Sequence, residues 1–337
     1  MPGEEKRTNV VLMGDSTLDN PNWVEEEELS VVEHLKVMNP ELRIFDHSND
    51  GFTTTDCLKG NFRNKVVPTS AKYPAKEFSP LTDAKEDIAN ADRVVLSVGG
   101  NNIREFLHAP HGINPEAMGQ EFRKVLEVMV KEYIEIVTKI RGINNHAQII
   151  LMTQYYPSTI QKNYKIYESM AMLGPILKLG EQPLDVIHTL MQEIYPTILK
   201  GLQAQGEDNV AILDLTSSLN PFDKKNHSHQ IEPSGVGGRK IADMLTYILN
   251  RPAEKSLAYQ FRPDFFTKPN PLNVIEGPIK AWMPNHPNTF KPVTAAASPV
   301  SFFQERRATR TAHREKLLAL ESVKSDGDQA KSRWCCC

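Results

Sequence analysis

The sequence predicts an α/β fold, a three-layer α/β/α sandwich around a mainly parallel five-stranded sheet with a C-terminal extension. Two observations carry this expectation. Up to about residue 250, short apolar runs alternate with longer segments whose apolar residues recur at helical spacing, the pattern of repeated βαβ units. The runs are also too apolar to have one face in water, as expected of strands covered by helices on both sides.

The candidate strands are residues 10–13 (VVLM), 42–46 (LRIFD), 93–98 (RVVLSV), 148–152 (QIILM) and 211–215 (AILDL). Between the third and fourth, Phe122, Val125, Leu126, Met129, Tyr133, Ile136 and Ile140 recur at three- and four-residue steps, predicting a helix over 115–140. Pro115 suits its first turn. A last helix over 235–249 places Ile241, Met244, Leu245 and Ile248 on one side, and Asn250-Arg251-Pro252 stops it. Residues 8–250 therefore read as one domain. Nine of the 23 prolines then fall between Pro252 and Pro299, so 251–300 reads as a proline-rich extension, lying on the domain surface or acting as a spacer. Helical propensity returns over 301–324, where Arg306, Arg307, Arg310, Arg314 and Lys316 make the helix basic, and 325–337 reads as a disordered, cysteine-tipped tail.

With 39 Lys+Arg against 42 Asp+Glu, the chain lacks the basic excess that would mark a nucleic-acid partner. Cys57 is the one internal cysteine, and Cys335, Cys336 and Cys337 are the last three residues, which is no disulfide framework. The apolar run after residue 9 is too short for a signal peptide, and no run of 18 apolar residues occurs. These features predict a cytoplasmic protein, either soluble or peripherally attached to a membrane. The terminal cysteines do not form a C-a-a-X box, because Trp334 stands fourth from the end, but adjacent cysteines beside basic residues suit acylation and a membrane surface as partner.

The residues with chemical potential cluster after the first three strands. The first runs into Gly14-Asp15-Ser16, the second into His47-Ser48-Asn49-Asp50-Gly51, and the third into Gly99-Gly100-Asn101-Asn102. Ligands bind at the carboxyl ends of the strands in open α/β sheets. Ser16 would supply a hydroxyl there, Gly51 an unobstructed backbone N–H, and Asn101 an amide donor: a nucleophile with an oxyanion hole. Other conspicuous residues suggest duller roles. Glu25 to Glu28 suits a helix start, Asp19 and Asn20 a cap or pocket wall, and His108 and His111 substrate contact more than a metal.

Together these blocks resemble the SGNH (GDSL) hydrolase family over residues 8–250, with Gly14-Asp15-Ser16, Gly51 and Gly99-Gly100-Asn101-Asn102 as the first three blocks. Residues 231–242 (IEPSGVGGRKIA) are similar to the fourth, I-H-P-S-x-x-G-x-x-x-I-A. The resemblance implies an SGNH/flavodoxin-like fold and a serine esterase that needs no cofactor or metal. It would cleave small-molecule, lipid or glycan acyl esters through an acyl-serine intermediate, with Ser16 as nucleophile and with Gly51 and Asn101 in the oxyanion hole. Two blocks depart from the pattern: Asn102 replaces an Asp in the third, and in the fourth Glu232 stands where the family has its catalytic His, with His229 where it has Asp. An imidazole near pKa 6.5 accepts a serine proton at neutral pH far better than a carboxylate near 4.3. Three arrangements follow. His229 is the base, oriented by Glu232; or His227 supplies the base; or the site is degenerate and the domain is a binding module, tethered to a membrane through its terminal cysteines.

Overall fold

The computed structural model describes residues 7–62, 77–109, 114–161, 165–267 and 271–290. The basic segment 301–324, the tail with Cys335, Cys336 and Cys337, and His111 lie outside them.

The α/β expectation holds, with a larger sheet than expected. Seven strands pair in the order β2-β1-β5-β6-β7-β8-β9. They are β1 (Asn9–Gly14), β2 (Arg43–Ser48), β5 (Arg93–Ser97), β6 (Gln148–Met152), β7 (Val210–Asp214), β8 (Leu257–Phe261) and β9 (Val274–Pro278). A separate short ribbon pairs β3 (Asn61–Phe62) with β4 (Glu77–Phe78). All pairs of the main sheet are parallel except β8 with β9.

The five-strand expectation is thus corrected by β8 and β9, which lie in the stretch read as a proline-rich extension. Their residues join the main fold: β8 continues the sheet beside β7, while Trp282 and Phe290 beyond β9 are buried. The Trp282 Nε1–H and the Gln260 side chain both donate to the carboxylate of Asp214 at the end of β7. Proline is compatible with an edge strand because an outward-facing N–H is not needed there, and Pro278 sits in that position in β9.

Strand β1 lies in the middle of the first three strands because its alternating residues serve two cores. Val11 and Met13 pack with Val94, Leu96, Ile149 and Leu151 in one cluster, and Val10 and Leu12 pack with Val95, Ile150 and Leu213 in the other. On the first face lie α2 (Thr54–Lys59), α3 (Pro80–Asp83), α4 (Lys85–Ala89), α5 (Gly100–His108), α6 (Pro115–Ile143), α7 (Ile166–Leu177) and α8 (Pro183–Ala204). On the second lie α1 (Val31–Met38) and α9 (Gly235–Leu249), packed against one another. Each start has a local cause. Asn114 accepts from the N–H groups of Glu116 and Ala117 ahead of Pro115, and Ser30 and Glu33 form a capping box on α1.

The acidic run 25–28 precedes α1, and its last residue serves another helix: the Glu28 carboxylate accepts from Gly235 N–H at 2.9 Å, at the start of α9. Among the described residues no helix is long and apolar enough to cross a membrane.

Taken in chain order, the first five parallel strands have the doubly wound order 2-1-3-4-5, whose switch point lies between β1 and β5. The connections from β1 to β2 and from β5 to β6 leave in opposite directions there, opening a crevice at the carboxyl ends of both strands.

Candidate active site

Ser16 stands at that crevice on a turn that only glycine permits. Gly14 has φ +142°, and a Cβ on it would fall 1.8 Å from the Ser97 carbonyl oxygen of β5. That oxygen accepts from Asp15 N–H at 2.8 Å, so the chain crosses the end of β5 before it turns. The Asp15 carbonyl then accepts from Leu18 and Asp19, and its carboxylate accepts from Thr17 N–H at 3.0 Å. Ser16 sits inside this helical turn, 8% exposed.

The second loop is tied to the first by backbone and side chain. Asn49 N–H donates to Gly14 O at 2.9 Å, and Asp50 N–H donates to the Asp19 carboxylate at 3.0 Å. Gly51 follows with φ +79°. The third loop joins through Asn101, whose Nδ2 donates to Phe52 O at 3.1 Å. Asn102, in place of the family's Asp, also braces the second loop: its Oδ1 accepts from Thr54 N–H at 3.0 Å and its Nδ2 donates to Thr54 Oγ1 at 2.9 Å.

The structure therefore brings Ser16, Gly51 and Asn101 to adjoining loops. Ser16 and Asn101 line one cleft, and Gly51 is buried in the turn beside it. Buried backbone N–H groups are nearly always paired. Those of Ser16 and Gly51 have no acceptor among the described residues, and one N–H of the Asn101 amide is likewise unspent.

The fourth block folds as a tight hairpin, with a bridge between His227 and Pro233 and a bond from Ser228 N–H to Glu232 O at 3.1 Å. Asn20 anchors it to the β1 loop, donating to Pro233 O at 3.1 Å and accepting from Val31 N–H at 2.9 Å. Tyr155 donates to Ile231 O at 2.5 Å from the end of β6. In this fold Glu232 is buried and His229 is half-buried, with its Nδ1 buried and unpaired. The Ser16 side chain acts against the rise in the pKa of the Glu232 carboxyl, whose Oε2 makes no hydrogen bond among the described residues. The His229 ring stands edge-on to Trp23, 5.2 Å between centroids.

His227 is buried with its Nε2 3.2 Å from Tyr156 O. Burial pushes its pKa down to about 4. Among the described residues no hydrogen bond joins Ser16 to His227 or His229, nor His229 to Glu232. Neither imidazole is bonded to Ser16 among the described residues, while the buried Glu232 carboxyl feels the Ser16 side chain in its pKa.

Three buried acids share this region. Burial raises Glu232 to about 8, with repulsion from Asp50 and Asp15 adding to it, while Ser16 and Arg104 act against the shift. Burial likewise raises Asp50 to about 7, opposed by the hydrogen bond from Trp23 Nε1 at 2.8 Å. Asp15 rises to about 6, with the Thr17 bonds as the main restraint. Arg104 on α5 and Gln154 after β6 complete the cleft mouth, and Arg104 Nε and Gln154 Nε2 are buried without a partner. Sequence reasoning missed both, along with Trp23 and Asp50, since nothing local distinguishes a cleft residue from an ordinary helix or loop residue. His108 ends α5. Among the described residues no three His, Cys, Asp or Glu side chains group as metal ligands.

No protein-family model matches this sequence, and no curated protein matches it. Solved structures do resemble it. They include the lipase Lip_vut3 from a goat rumen metagenome (TM-score 0.46, 14% identity, 71% of this chain and 96% of that one). The lipase/acylhydrolase from Enterococcus faecalis has a TM-score of 0.39 at 16% identity over 73% of this chain and 98% of its own. The acetyl xylan esterase Est2A from Butyrivibrio proteoclasticus has a TM-score of 0.40 at 14% identity, covering 72% of this chain and 63% of that one. These neighbours are lipases and esterases, and at such identities the likeness is one of chain path.

Proposed function

We propose that this chain is a serine ester hydrolase in which Glu232 takes the proton of Ser16. The reading is supported by the buried Glu232 carboxyl, whose pKa the Ser16 side chain influences, and by the cleft that Ser16 lines. Ionised Glu232 accepts the hydroxyl proton as Ser16 Oγ forms a bond to the acyl carbonyl carbon. The oxyanion is held by the N–H groups of Ser16 and Gly51 and by the Asn101 amide, all unspent at this edge of the sheet. Collapse breaks the ester C–O bond, with Glu232 returning the proton to the departing alcohol. Water then attacks the acyl-serine by the same route and releases the acid. His229 and Trp23 form a wall beside Asp50 in this scheme, with no proton to carry.

A carboxyl raised to about 8 leaves a definite kinetic mark. The competent form is the ionised one, so kcat/KM for a p-nitrophenyl ester should rise about tenfold per pH unit up to pH 8 and level off above it. An imidazole base would level off about one and a half units earlier. A fluorophosphonate should label Ser16, located by peptide mass mapping, and label it faster at pH 9 than at pH 7. A plateau already reached at pH 7 and abolished by His229→Ala would transfer the base role to His229.

The binding-module reading has one observation in its favour: at neutral pH a Glu232 near 8 is mostly protonated and holds no base. It predicts no labelling of Ser16 at either pH.

A further inference from the structure

We propose that the cleft beside Ser16 is an acyl-chain site, and that the ester hydrolysed carries a medium-to-long acyl group in place of acetyl. This rests on the reading of Ser16 as nucleophile. The cleft has a cavity volume of about 110 Å³. Its polar lining, Asp15, Ser16, Thr17, Asn101, Arg104 and Gln154, belongs to the loops and helix start at the strand ends, whereas the rest is formed largely by apolar side chains of three helices. On α8 the lining residues Ile187, Leu190, Met191, Ile194 and Ile198 fall at three- and four-residue steps, one continuous stripe.

From Ile187 to Ile198 such a stripe runs roughly 16 Å at about 1.5 Å per residue. That matches an extended chain on the order of a dozen carbons, each advancing somewhat less than one C–C bond length. Met129 of α6 and Met170 of α7 form part of the opposite walls, and flexible thioethers adapt to a chain of variable length. Water is a poor occupant, since it needs two to four polar partners and this stripe has none to give. An acetyl group would fill only the mouth and leave the stripe empty.

The test uses the full chain and p-nitrophenyl esters from acetate to palmitate. Each buried methylene is worth about a fourfold gain in kcat/KM, so decanoate should exceed acetate by at least ~10²-fold. Ile194→Trp, which fills the middle of the stripe, should lower the decanoate-to-acetate ratio at least tenfold. Met191→Phe, a smaller intrusion, should lower it in the same direction if the tryptophan variant fails to give a cooperative melt. In parallel, cis-parinaric acid fluorescence on Ser16→Ala protein should rise on binding and fall as decanoate displaces it, less so with Ile194→Trp added. Preference for acetate with no displacement overturns the acyl-chain site and leaves the esterase reading standing. Displacement by decanoate without any hydrolysis above the Ser16→Ala level keeps the acyl-chain site and overturns the esterase reading.

Discussion

Ser16→Ala is expected to lower kcat/KM for a p-nitrophenyl ester by at least ~10³-fold, Glu232→Gln by ~10²- to 10⁴-fold, and the double variant scarcely further than the worse single one. The reason lies in how the two side chains depend on one another. Without the carboxylate, the Ser16 hydroxyl is a neutral alcohol and a weak nucleophile; without the hydroxyl, the carboxylate has no proton to take. Groups that act as one unit lose their joint contribution once, so the logarithms of the two losses should not add. Additive losses would mean that Glu232 acts apart from Ser16. Glutamine preserves volume and one acceptor at position 232, which keeps the hairpin intact and separates loss of the base from loss of packing. Rates within threefold of wild type for Glu232→Gln would remove Glu232 from the chemistry.

Gly14→Ala should be the most damaging single methyl group in the described fold. Its Cβ would meet the Ser97 carbonyl oxygen at 1.8 Å, and that oxygen is backbone of an interior strand with nowhere to withdraw. The backbone angle of +142° adds its own penalty for any residue with a side chain. A cost above about 4 kcal/mol is expected, a large part of the 5–15 kcal/mol that usually holds a domain together. Gly142→Ala is the matched control. Nothing lies within 4 Å of the added methyl there, near the end of α6, so a gain of about 0.5–1 kcal/mol is expected. Denaturant melts of the two variants beside wild type measure both, and a Gly14→Ala midpoint equal to wild type would mean that the β1 turn differs from the one described.

The same contrast between local and distant causes explains what could be read from the sequence. The interior strands were legible because burial on both faces leaves a continuous apolar run, as in QIILM of β6. The long helix was legible from its period, and α6 runs Pro115–Ile143 where 115–140 was expected, its end set by capping rather than by periodicity. Strands β8 and β9 were not legible. Their neighbourhood is rich in proline, and β9 is an edge strand whose residues are half-exposed or exposed, so neither hydrophobic signal survives. At the site, Gly14-Asp15-Ser16, Gly51 and Asn101 stood out because tight turns demand particular residues in short order. The burial of Glu232 did not, because it depends on how a hairpin two hundred residues later packs. His229 and Glu232 are three apart in a hairpin closed by the bridge between His227 and Pro233, yet Glu232 is buried and His229 half-buried.

The trio of buried acids around Ser16 also bears on the fold's durability. Each holds its proton to a higher pH in the folded protein, at about 6, 7 and 8 for Asp15, Asp50 and Glu232, than a carboxyl in an unfolded chain at about 4. Between those limits the native state binds more protons than the unfolded one, so stability falls as pH rises from about 4 to 8. The melting temperature should decline across that window, and Glu232→Gln, which carries no charge to strand in the interior, should decline less and melt higher at pH 8.5. Equal slopes for the two proteins would show that Glu232 titrates alike in both states. On the proposed mechanism, the pH at which Glu232 becomes a base is thus the pH at which the domain is being undermined, and the replacement that would silence the site should make the protein hardier.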